Sequence, residues 1–149
     1  MNLQLHSVAQ ATIAWQSAQA CVVEATRQAQ QMGVLVNVAV VDASGVLAAF
    51  LRMPGAPLHS VDIAIDKAYT AVSFGLATSQ WQAVLQDHSP GVREGLVLRP
   101  RFVAFGGGLP ILIGGQRIGA IGVSGASEEQ DEAIARAGLA ALSQHDAEH

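Results

Sequence analysis

The sequence predicts an α/β domain of the α+β type, with a single antiparallel sheet of about five strands flanked by helices. Three observations lead there. Apolar residues recur at helical spacing at both ends of the chain, β-branched runs separated by glycine turns lie between them, and the connections are short enough for antiparallel neighbours.

The elements follow in order. From Val8 to Met32, the apolar positions Val8, Ile13, Trp15, Ala18, Val22, Ala25, Ala29 and Met32 recur at helical steps. Gly33 then supplies a C-terminal stop. Val34 to Val41 is rich in β-branched residues, Asp42-Ala43-Ser44-Gly45 reads as a turn, and Val46 to Leu51 returns as a second strand. Met53-Pro54-Gly55-Ala56-Pro57 cannot continue that strand, because its prolines remove donors and fix φ, so a rigid loop is expected. Ser60 is placed to cap a helix that carries Val61, Ile63, Ala64, Ala68, Ala71 and Val72 and ends near Gly75. Thr78 or Ser79 can cap a short helix containing Trp81, Val84 and Leu85. Asp87 to Arg101, broken by Pro90, Gly91, Gly95 and Pro100, reads as a loop with at most a short ordered piece.

Phe102 to Phe105 reads as a third strand leading into Gly106-Gly107-Gly108. Ile111 to Ile113 and Ile118 to Val123 then form a hairpin around Gly114-Gly115. Ser127 stands at an N-cap with Gln130 in capping-box register and Glu128, Glu129 and Asp131 in the first turn, which starts a helix running to about Leu142.

At 149 residues, half of them hydrophobic and 13% charged, residues 1–149 read as one domain with a full core. The low charge content and a mean hydropathy of +0.33 suggest apolar surface that self-association would cover, so a homo-oligomer is expected. A net charge of -4 and the lack of any Lys or Arg run argue against nucleic acid and anionic membranes as partners. No apolar run is long enough to span a bilayer, and the first residues have no basic start with a long apolar core, so a cytoplasmic protein is expected. The lone Cys21 falls in an Ala-rich helical pattern and reads as a small packing residue.

Arg52, His59, Ser60, Asp62, Asp66 and Lys67 form the densest polar cluster. Lys67 shares a helix face with Ile63, so it projects from an apolar side where burial would lower its pKa. It could then move a proton or fix a carboxylate, while Arg52 offers a bidentate clamp and His59 a second proton carrier. The alternative for Lys67 is a surface ion pair with an acid one turn away. Helix-start acids such as Asp62 and Asp66 are explained by the dipole alone. The amides of Gly107 and Gly108 could bind a carboxylate or oxyanion, with Ser60 alongside, or the glycines could simply let the chain pass close over the sheet. No second His or Cys lies at ligand spacing from His59, so no metal site is expected. His6, His88, His145 and His149 read as solvated. No nucleophile elbow surrounds Ser124.

Four segments carry a family resemblance: Ala39-Val40-Val41-Asp42-x-x-Gly45, Asp66-Lys67-Ala68-Tyr69-Thr70-Ala71, Gly107-Gly108-Leu109-Pro110-Ile111, and Gly119 to Gly125 followed by Glu129-Gln130-Asp131. In order and spacing they resemble the GlcG/HbpS-like haem-binding family, over roughly Val8 to Leu142. The resemblance implies a profilin-like fold, compact homo-oligomers (often octamers) and a small-molecule ligand. Members include haem-binding and haem-degrading proteins, the C-terminal domain of the PduO corrinoid adenosyltransferase, and GlcG-type proteins encoded with small-acid catabolism. Haem is therefore the expected cofactor or ligand. Two features depart from what the resemblance suggests. Many members carry an acidic residue before Gly-Ala where this chain has Met53-Pro54-Gly55-Ala56, and Trp15 to Thr26 offers no His as an axial ligand.

Two functions are thus expected. The first is non-covalent binding of haem or a related tetrapyrrole. The second is a cofactor-independent enzyme in a catabolic pathway, acting on a small carboxylate or enol acid by lyase, tautomerase or hydrolytic proton-transfer chemistry. Both place Arg52 and Lys67 around one recess with the triple-glycine bend.

Overall fold

The structure is a computed structural model and describes residues 6–142. His145 and His149 lie outside those residues.

Helix α1 (Trp15–Met32) begins seven residues later than the apolar spacing suggests and ends at Gly33, whose N–H bonds the carbonyls of Ala29 and Gln30. The preceding segment is extended instead, because Ile13 N–H bonds Ile118 O at 2.9 Å and Thr12 Oγ1 accepts from Ala43 N–H at 2.9 Å. Strands β1 (Asn37–Asp42) and β2 (Leu47–Arg52) form the expected hairpin. Helix α2 (Ser60–Phe74) follows, then a 3₁₀ turn over Thr78–Gln80 and α3 (Trp81–Gln86). Helix α4 (Pro90–Leu96) is the short ordered piece in the interrupted region, with Ser89 Oγ accepting from Val92 N–H and proline at the start of the first turn. Strands β3 (Gly108–Ile113) and β4 (Gln116–Ser124) make the second hairpin, and α5 (Glu128–Leu139) closes the fold with its capping box between Ser127 and Gln130.

The sheet is antiparallel throughout, in the order β2-β1-β4-β3. It has four strands among the described residues, because Phe102 to Phe105 does not join it. A helix side chain ties down its start instead: Thr70 Oγ1 donates to O of the preceding Arg101 at 3.0 Å and accepts from Val103 N–H at 3.1 Å.

Side chains alternate across the strands and divide the core between the two faces. Val36, Val38, Val40, Ile121 and Val123 pack with α1 and α5, where Cys21 is fully buried. Burial pushes the Cys21 thiol up to about 11, so it remains a neutral packing group near neutral pH. Val41 and Ala120 pack on the other face against Ala68, Ala71 and Val72 of α2. There α2 lies so close to β4 that a Cβ on Gly122 would collide with the carbonyl of Ala64. This close contact carries the next turn of α2, and with it Lys67, over the glycine end of the sheet. Among the described residues no helix is long and apolar enough to cross a membrane.

Candidate functional site

Lys67 lies on the buried face of α2 and is completely sequestered. Its ammonium donates to Val123 O at 2.9 Å and to Asp131 Oδ2 at 3.1 Å, and sits 5.0 Å from the centroid of the Phe105 ring. A carbonyl, a carboxylate and an aromatic ring therefore surround the amine. Asp131 is equally sealed, and its Oδ1 accepts from Ala126 N–H at 3.0 Å. The triple-glycine bend closes over this pair: a Cβ on Gly107, which has φ 129°, would stand 2.6 Å from Lys67 Nζ. Gly108 is equally tight against Lys67 O, and its N–H bonds Thr78 Oγ1 at 2.9 Å. Desolvation lowers the Lys67 pKa and raises that of Asp131, while their mutual attraction works the other way in each.

Lys67 thus pairs not with an acid one turn away but with a first-turn residue of α5. Spacing within α2 gives no sign of it. The signal lies in α5, where Asp131 is in phase with buried Ile134, Ala135 and Gly138, so it had to face inward.

The other expected site residues do not join Lys67. Arg52 stands on edge strand β2, in a row with Asn37 of β1 and Ser124 of β4, and is about 10 Å from the latter at ordinary strand spacing. Its guanidinium turns back to Ala56 O at 2.6 Å and ties down the proline loop. His59, not Ser60, occupies the N-cap of α2, with no side-chain cap bond. It is exposed and about 12 Å along the helix axis from Lys67. Ser60 is buried in the first turn. The structure therefore unites Lys67, Gly107 and Gly108 in a filled knot of packing and leaves Arg52, His59 and Ser60 with the loop.

An open cleft lies on the outer side of α2. It encloses about 260 Å³ between Tyr69, Phe74, Leu96, Arg99, Arg101 and Phe102. Its floor is aromatic: Phe74 and Phe102 meet edge to face at 6.0 Å, and buried Trp81 packs against both. Arg101 forms its rim, with Nε bonded to Asp66 Oδ1 at 2.9 Å and the guanidinium carbon 3.6 Å from the Tyr69 ring centroid. Arg99 is exposed beside it. Flat apolar walls with cations at the edge suit a planar ligand bearing acid groups. The weak pattern from Asp87 to Arg101 gave no sequence sign of this cleft. Among the described residues there is no cluster of His, Cys, Asp and Glu that could hold a metal ion directly, and His6, His59 and His88 are all exposed.

Residues 13–140 match the family model described as haem degrading protein HbpS-like. The chain is 40% identical over 118 residues to the corrinoid adenosyltransferase PduO of Salmonella typhimurium, an alignment that covers 79% of this chain and 35% of that protein. It therefore spans only about a third of PduO. Among solved structures, protein ORFY of Klebsiella pneumoniae is similar, with a TM-score of 0.84 and 35% identity over 96% of this chain and 97% of that one. The complex of PduOC with haem matches with a TM-score of 0.83 and 35% identity, over 93% of this chain and 99% of that one. The family model takes in both hairpins, the Lys67–Asp131 knot and the outer cleft. The chain belongs to the HbpS-like family.

Proposed function

We propose that this domain binds haem or a closely related tetrapyrrole non-covalently. The observation that carries the reading is the likeness to PduOC, a domain crystallised with haem that matches this chain over 93% of its length. The chemistry of the outer cleft fits such a group. Phe74, Leu96 and Phe102 would lie against the macrocycle, and Tyr69 brings a phenol, a side chain that can ligate ferric iron. Bound haem would supply a redox-active iron and an intense visible chromophore.

A volume of about 260 Å³ falls below the range of roughly 300–1,000 Å³ usual for small-molecule sites, so one protomer offers part of an enclosure. Apolar side chains nearby stay in water, including Leu98 at 81% exposure and Phe74 at 48%. We propose that a second copy covers this surface in a homo-oligomer. Titrating the purified protein with hemin, with its mass followed by light scattering, tests both parts. The expected result is a saturable Soret shift at a fixed stoichiometry per protomer, on a species heavier than a monomer. Featureless, non-saturating adsorption would overturn the binding reading, and a monomeric mass would overturn closure by a second copy.

A further inference from the structure

We infer that the cleft between α2 and residues 96–102 is the binding site for a flat, carboxylate-bearing tetrapyrrole, and that Arg99 and Arg101 recognise its carboxylates. The inference rests on the haem reading above and adds to it a place and a basis for selectivity.

Arg101 carries the argument. It has φ 67°, the one described non-glycine residue in the left-handed region. A bulky side chain holds that conformation only where its surroundings impose it, and such strain gathers at sites that position a group for use. Here the restraints are visible. The Arg101 carbonyl accepts from Thr70 Oγ1 at 3.0 Å, its Nε donates to Asp66 at 2.9 Å, and its guanidinium plane covers the Tyr69 ring. These contacts engage Nε and one face, and the two terminal nitrogens remain as further donors. A guanidinium fixed in this way loses little freedom when it grips a carboxylate. Arg99, two residues earlier on the same rim, has no side-chain hydrogen bond or ion pair among the described residues and supplies a second cation. Two arginines beside one apolar slot match a ligand with two acid groups on one edge of a ring.

The test compares hemin with its dimethyl ester, which keeps the ring and iron but has lost both carboxylate charges. Affinities are measured by Soret titration for the wild type, Arg99→Gln and the Arg99→Gln/Arg101→Gln double variant. Each lost charge-assisted contact is expected to weaken hemin binding by about 10- to 100-fold. The ester should bind all three proteins alike, and more weakly than hemin binds the wild type. Arg99→Gln changes an exposed side chain, so it reports on the site even if the double variant folds poorly. Saturable hemin binding by the wild type, with unchanged affinity in the variants, would overturn this assignment and leave the haem reading standing. Equal losses for hemin and ester would also overturn it, since charge recognition would then not be the basis. An absence of saturable hemin binding in the wild type would remove both.

Discussion

Asp66 and Lys67 are neighbours on α2, yet they lead opposite lives. One residue turns the helix by about 100°, enough to send the two side chains to different sides of the molecule. Lys67 goes inward to Asp131 in a pair whose side chains are 1% and 3% exposed, and Asp66 goes outward to Arg101 in a pair at 26% and 43%. The inner pair is enclosed, with the ammonium bonded to a carbonyl and a carboxylate and a glycine bend sealed over it. The outer pair leaves a guanidinium with free donors beside an apolar slot. Removing one member of a buried pair strands the other charge in the core, whereas an oriented ion with spare donors in a cleft is available to a ligand. Charged residues are densest around Lys67 in the sequence, yet the structure pairs that lysine with Asp131 and places the exposed cations of the cleft elsewhere.

The sharpest way to break this contrast is to remove one partner from each pair. Asp131→Ala leaves an ammonium buried with only Val123 O and the Phe105 ring for company, and should cost about 3–5 kcal/mol of folding stability. That is a large share of a typical domain's total stability. Urea unfolding measures it. A loss below about 1 kcal/mol would mean the knot is no more structural than a surface pair.

The inner pair should also leave a signature in pH. Asp131 has a folded pKa above its ordinary 3.8, so between those values the native state holds a proton that the unfolded chain has released. Its contribution is complete below 3.8 and is lost as pH rises through the folded value. Lys67 has a folded pKa below its ordinary 10.5, so between those values it is the unfolded chain that holds the extra proton. That contribution is complete above 10.5 and is lost as pH falls through the folded value. The pair is therefore least favourable at intermediate pH. Subtracting the stability profile of a Lys67→Met/Asp131→Leu double variant from that of the wild type should expose a trough, with limbs rising towards acid and alkali. A difference that peaks at intermediate pH would mean that attraction, not desolvation, governs the pair.

The fold was far more legible in the sequence than either pair. Both hairpins, the stops at Gly33 and Gly75 and the Ser127 capping box announce themselves through local chemistry, and the structure keeps them. The structure departs from the local pattern chiefly where a distant contact overrides it. Phe102 to Phe105 has strand-like composition, but Thr70 takes its backbone bonds from 31 and 33 residues away in sequence. Pro90 and Gly91 read as breakers, although Ser89-Pro90 is a sound helix start. Asp131 stands in a run of acids that the helix dipole already explains, and its partner lies 64 residues away. No periodicity surrounds Arg99 and Arg101 to single them out in the sequence.

The smallest expected effect belongs to Asp66→Ala, and it isolates the outer pair. A half-exposed ion pair contributes about 0–1 kcal/mol, so stability should barely move. Ligand recognition should respond differently. Arg101 keeps its stacking on Tyr69 and the Thr70 bond to its backbone, so the guanidinium stays at the rim while losing a competing carboxylate. Hemin affinity should therefore hold or rise modestly, by less than about tenfold. Soret titration beside a urea melt reads both quantities from one preparation. A marked loss of affinity with unchanged stability would make Asp66, not Tyr69, the group that aims Arg101, and would move the positioning role from the aromatic face to the acid.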